Sequence, residues 1–226
     1  MPLREIFPTF VYDVDLDPPD DVREKMVKSV DDFYWSRREH PENHPDHFDH
    51  EPFIGDHMGD SNIASKKEFS WLNEQLSIHV MKYLEGTTAR FKDLSVYVQK
   101  SWPIVCPREG GTNVPMHIHN NAALSACFYL QCDEENPSQN IHFTVSEEYH
   151  PQLLIPVKYD DVRRYREELK IKQSKLVIFP AFLLHGVSTY GGYVDRYSIA
   201  YDISLVCENE YYSENQLADP NLWVKI

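Results

Sequence analysis

A few side chains in the second half of the sequence have types and spacings that could do chemistry. His117 and His119 form a His-x-His pair. On a strand, residues two apart point to the same face, so both imidazoles can reach one ion. His185 comes directly after the apolar run LVIFPAFLL. Three neutral imidazoles, or two and a carboxylate, suit a first-row divalent metal, and a site with open positions suits catalysis by Fe(II). Alone, the pair says little, because exposed histidine pairs are common. Arg196 and Ser198 lie in RYSIAYDIS and share a face if that run is a strand. A planar guanidinium grips a carboxylate through two hydrogen bonds, and a hydroxyl adds another, which is what the distal carboxylate of a small diacid needs. The plainer alternative pairs Arg196 with Asp195 or Asp202.

These residues need rigid elements to hold them. Residues 5–13 (EIFPTFVYD) read as a strand, stopped by Pro18 and Pro19. Asp20 and Asp21 suit a helix start, and Val22, Met26, Val30 and Phe33 give an apolar stripe that fades near Arg38. Residues 40–60 are loop-like and hold His40, His44, His47, His50 and His57. Their spacing matches no zinc pattern, so a solvated loop or a lid is expected. Ser65 and Glu68 have capping-box spacing ahead of an apolar face of Phe69, Leu72, Leu76, Val80 and Tyr83, with Gly86 as the C-cap. Thereafter the period changes to two: Leu94, Val96 and Val98 alternate with polar residues, and strand-like runs follow at 123–131, 141–145, 175–180 and 196–206. Residues 160–170 read as a short helix or an insert. The pattern predicts a mainly β fold, a sandwich or barrel with helices packed on one side.

Composition narrows the function classes. The 226 residues are expected to form a single domain, with a helical part over about 1–90 and a barrel core over about 91–210. The formal net charge of −14 repels phosphate backbones, which argues against nucleic-acid partners. Cys106, Cys127, Cys132 and Cys207 form no CxxC pair and no disulfide framework, so a reducing, cytoplasmic location is expected. The N-terminus has no signal-peptide pattern and no run is long enough for a membrane span. A homodimer is the base-rate expectation for assembly.

The combination of motifs resembles the 2-oxoglutarate/Fe(II)-dependent oxygenases, and more narrowly a family of these common in bacterial and phage genomes. The matching stretches are SWPIVCPREGGTNVPMHIHNNAALSACFYLQ (101–131) and KLVIFPAFLLHGVSTYGGYVDRYSIAYDIS (175–204). The resemblance implies a double-stranded β-helix, the jelly-roll barrel that cupins share, with the N-terminal helices on one face. It implies Fe(II) as cofactor and 2-oxoglutarate as cosubstrate, consumed with O₂ to oxidise a small-molecule or peptide substrate and leaving as succinate and CO₂. His117 and His185 become metal ligands. Arg196 anchors the distal carboxylate of 2-oxoglutarate, Ser198 assists, and Tyr129 sits where related enzymes often place a tyrosine near that carboxylate. Trp102 matches a family tryptophan, with core packing as its role.

Three departures stand out. His119 takes the place of the usual Asp or Glu ligand. As a ligand, it leaves the iron site more positive; turned away, it would open a position and resemble the halogenase variants. Ser174 stands where the family usually has Gly, and residues 141–160 lack an acidic-proline-basic turn. The first rival is a three-His cupin dioxygenase without 2-oxoglutarate. Gly111 and the His-x-His pair fit the start of that motif, but its later Glu, Gly and Asn are missing, and Arg196 would have no role. The second rival is a non-catalytic metal-binding module on the same barrel.

Overall fold

The computed structural model describes residues 9–39, 52–87, 94–108, 111–135, 139–144, 166–207 and 224. In chain order these form β1 (Tyr12–Asp15), α1 (Asp20–Arg38), β2 (Phe53–Ile54), α2 (Ser70–Thr87), β3 (Ser95–Cys106), β4 (Val114–His117), β5 (Leu124–Gln131), β6 (Asn140–Thr144), β7 (Arg166–Lys170), β8 (Lys175–Pro180), β9 (Leu184–Val187) and β10 (Arg196–Val206). Among the described residues, the β-branched and aromatic runs of the second half become strands, as their propensity favours.

The strands make two sheets, ordered β1-β8-β5-β10-β3-β2 and β4-β9-β6-β7, with antiparallel pairing throughout. Their inner faces meet over Val114, Ile141, Phe143, Val177, Phe179 and Val187. This is the expected double-stranded β-helix. The outer face of the larger sheet buries a second core. Tyr197, Ile199, Tyr201 and Ile203 of β10 and Phe128 of β5 share it with Met26 and Val30 of α1 and Leu72, Leu76 and Val80 of α2. The helices thus cover the sheet's apolar outer face, and its inner face is left to line a cavity.

Several local expectations are corrected. The first strand begins at Tyr12 rather than at residue 5; residues 5–8 lie outside the described residues. Ser65 makes no capping box. Its hydroxyl donates to the Asn62 carbonyl, a short 3₁₀ turn runs over Lys67–Phe69, and α2 begins only at Ser70. Gly86 lies inside α2, so it is no C-cap. Part of the predicted 40–60 loop is ordered: β2 pairs with β3 at Phe53–Val105, and Gly55–Met58 is a 3₁₀ turn. His57 lies there, and the other four histidines of that segment lie outside the described residues. Val98 is exposed, because the register between β3 and β10 shifts between Asp202 and Ile203 and breaks the alternation. Residues 166–170 form β7, not a helix. Among the described strands it pairs with β6 alone, at the sheet edge, where its charged side chains keep water beside the open backbone. Residues 145–165, where the acidic-proline-basic turn is missing, lie outside the described residues.

Ser174, the departure from Gly, has φ of +64°. The left-handed backbone just before β8 explains why glycine suits this position. Here Ser174 is fixed from both sides: its N–H donates to the Tyr129 carbonyl and its carbonyl accepts from Leu16.

Candidate active site

Period two sorts β10 into two faces. Arg196, Ser198, Ala200 and Asp202 turn into the barrel and line a cavity of about 800 Å³. Across β5, Tyr129 lies opposite Ser198 and Cys127 opposite Ala200; across β3, Cys106 lies opposite Arg196 and Trp102 opposite Ala200. The opposing sheet brings the histidines. His117 ends β4 and faces His185 of β9 in direct register. Gly186 allows this approach, since a Cβ there would come within 2.9 Å of both the Val114 carbonyl oxygen and the Met116 sulfur. His119 does not share a strand with His117, as the spacing argument assumed. It lies past the end of β4, tied by its N–H to the Ala181 carbonyl, and reaches the same point from the loop.

The three imidazoles converge. One ring nitrogen from each lies within 4.8 Å of the others, and Nε2 of His119 is 3.3 Å from Nε2 of His185. Nδ1 of His117 is 2.8 Å from the Pro115 carbonyl and Nδ1 of His185 is 2.8 Å from that of Leu183. A proton on Nδ1 donates to each carbonyl and leaves the Nε2 lone pair facing the centre. Burial lowers the pKa of both; for His185, with His117 adding repulsion, the value falls to about 3. Neutral imidazole is the form that binds metal.

The other end of the cavity is built around Arg196, which is 1% exposed. Nη2 donates to the Cys106 sulfur at 3.0 Å, and the guanidinium sits over the Tyr190 ring. Among the described residues no carboxylate pairs with it: Asp195 accepts from the Arg108 N–H, and Asp202 lies against His119. Among the described residues Nη1 and the Tyr129 hydroxyl are buried without an aligned hydrogen-bond partner, the hydroxyl lying beside the Cys127 thiol. Burial works against the charge on Arg196, and the neighbouring Cys106 and Tyr129 outweigh it and hold the pKa high. Burial also pushes the Cys127 thiol up to about 11, leaving it a neutral wall beside Tyr129 and Ser198.

All six sequence-predicted residues therefore line one cavity. Trp102, expected to be core packing, is buried but also lies tilted against His119, ring centroids 5.7 Å apart, and borders the cavity. Asp202 was weighed only as an ion-pair partner for Arg196. In the structure its Oδ1 is 2.6 Å from Nδ1 of His119. The available signal was its period-two relation to Arg196 and Ser198 on an otherwise apolar strand. At the mouth, Lys100 binds Asp56 at 2.5 Å and lies over Trp102.

Residues 100–202 match the family model described as "Putative 2OG-Fe(II) oxygenase". No curated protein matches the chain. Among solved structures, a Pseudomonas putida prolyl-4-hydroxylase is similar with a TM-score of 0.54 at 12% identity, over 87% of this chain and 93% of that one. AviO1 from Streptomyces viridochromogenes Tue57 gives 0.53 at 14%, over 87% and 90%. HygX from Streptomyces hygroscopicus, solved with nickel and 2-oxoglutarate bound, gives 0.53 at 10%, over 87% and 83%. At such identities these likenesses speak for the fold, while the family match spans His117, His119, His185, Arg196 and Asp202. Residues 100–202 are thus similar to the 2-oxoglutarate- and Fe(II)-dependent oxygenases, in a match that spans less than half of the chain.

Proposed function

We propose that this chain is an Fe(II)- and 2-oxoglutarate-dependent dioxygenase that hydroxylates a C–H bond of a small-molecule or peptide substrate. The observation that carries the reading is the pair of buried, unpartnered polar atoms, Arg196 Nη1 and the Tyr129 hydroxyl, in the cavity that the three histidines also line. A buried guanidinium without an anion is costly, and a carboxylate ligand would satisfy both donors.

His117, His119 and His185 would hold the iron through Nε2. Arg196, with Tyr129 and Ser198, would hold the distal carboxylate of 2-oxoglutarate. When bound, the iron and 2-oxoglutarate supply the O₂-dependent oxidation, in which 2-oxoglutarate leaves as succinate and CO₂. The protein's own residues do the rest. Ile104, Val114, Ile141, Phe179 and Val187 border the cavity with apolar surface and exclude water. Asp56, Gln99, Lys100, Asn120 and Asn121 offer polar contacts to a substrate at the mouth. His119 points at the other histidines rather than away, which favours hydroxylation over the halogenase-like arrangement. None of the four cysteines is in a disulfide, which supports a reducing compartment. No described helix is long and apolar enough to cross a membrane.

Anaerobic titration with Fe(II) and then 2-oxoglutarate tests the reading. A chelated cosubstrate gives a weak charge-transfer band in the visible. Arg196→Ala should still bind Fe(II) but need far more 2-oxoglutarate for the band, a loss of about 2–5 kcal/mol for truncating a buried charge that meets its counter-ion. Fe(II) binding with no band in the unaltered protein would favour a three-His centre without 2-oxoglutarate.

A further inference from the structure

We infer that Asp202 is a positioning residue for the metal centre: its carboxylate holds the Nδ1–H of His119 and supplies, one bond further out, the negative charge that a third imidazole ligand lacks. This rests on the metal-centre reading above.

The three histidines differ in what faces Nδ1. His117 and His185 each turn Nδ1 to a backbone carbonyl two residues earlier, at Pro115 and Leu183. Nδ1 of His119 instead has a side-chain carboxylate 2.6 Å away, and both side chains are nearly buried, at 8% and 6% exposure. A buried carboxylate needs donors; Asp202 Oδ1 makes no aligned hydrogen bond with any described residue, His119 included, and Nδ1 of His119, 2.6 Å away, is a donor within reach of it. The neighbouring cation is engaged elsewhere. Lys100 lies opposite Asp202 on β3, but its ammonium is 2.5 Å from Asp56 at the mouth. Ser125, opposite on β5, spends its hydroxyl on the Tyr201 carbonyl. Trp102 closes the other side of the His119 ring.

An imidazole that donates Nδ1–H to a carboxylate presents Nε2 as a stronger metal ligand, with its tautomer fixed. The carboxylate displaced from the ligand set by His119 is thereby returned at the next layer, on β10 rather than on the His-x-His segment.

Co(II) titration of the metal-free protein, followed by its ligand-field absorbance, tests this without turnover. Partners of this kind typically contribute 10- to 100-fold in metal affinity. Asp202→Ala should bind Co(II) weaker by about that factor, with an altered spectrum. Asp202→Asn, which keeps size and one acceptor, should fall between it and the unaltered protein. If Asp202→Ala does not fold, judged by circular dichroism, Asp202→Asn decides. Variants that match the unaltered protein in affinity and spectrum overturn the inference alone. If the unaltered protein shows no Co(II) site that His185→Ala removes, the metal-centre reading falls, and this inference with it.

Discussion

The two faces of β10 are both buried, yet they are built differently. On the outer face Tyr197, Ile199, Tyr201 and Ile203 pack under the helices, and the Tyr197 hydroxyl finds Asp31. On the inner face Arg196, Ser198 and Asp202 are 1–5% exposed, and Arg196 and Asp202 keep atoms without an aligned partner. Tyr201 is the exception outside, with an unpartnered hydroxyl of its own. The contrast teaches where to look for function. Burial that fills space with apolar groups specifies the fold, whereas burial that leaves a charge unanswered is tolerated where a ligand answers it.

The largest effect should come from the outer face. Ile199→Ala leaves a hole in a fully buried position, and unfolding in urea should show a loss of about 2–5 kcal/mol. The affinity of the folded protein for 2-oxoglutarate should not change. If that affinity falls as well, the two faces are coupled and the division fails.

Tyr129→Phe makes the opposite test from the inner face. Removing an unpartnered buried hydroxyl should leave the ligand-free protein as stable as before, or more so. It should weaken 2-oxoglutarate by about 1 kcal/mol, roughly fivefold, the worth of one hydrogen bond. Reduced stability with unchanged 2-oxoglutarate affinity would make Tyr129 an ordinary core residue.

The smallest effect concerns His79, a polar group on the helix side. It accepts a hydrogen bond from Tyr12 at 2.7 Å, and its pKa is lowered, chiefly by burial, with Lys82 adding. A folded pKa below the unfolded value means that its contribution is complete above about pH 6.5 and is lost as pH falls through the folded value. His79→Gln should therefore flatten the acid side of a melting-temperature profile and leave 2-oxoglutarate binding unaltered. An unchanged acid limb would show that His79 plays no part in it.

How much was legible in the sequence differs by element. The strand-like runs at 123–131, 175–180 and 196–206 became β5, β8 and β10 nearly residue for residue, because β-branched and aromatic content acts locally. The stripe of α2 was also read correctly, but its start was not: Ser65 had a better partner in Asn62 than in the helix it was expected to cap. The charged segment 166–170 misled because an edge strand and a solvated helix carry similar residues, and only pairing with β6 separates them.

By itself, the sequence determined the barrel, the order of its strands' motifs, and the candidates His117, His185 and Arg196, since these follow from residue type, spacing and a family pattern. The tertiary structure decided the rest. It brought His119 in from a loop, set the Nδ1 of each histidine against an acceptor, left Arg196 without a carboxylate among the described residues and put Asp202 beside His119. The reason is physical: tautomer, orphaned donors and ion-pair choice depend on distances across strands, and residues far apart in the chain acquire those distances only when the sheets close.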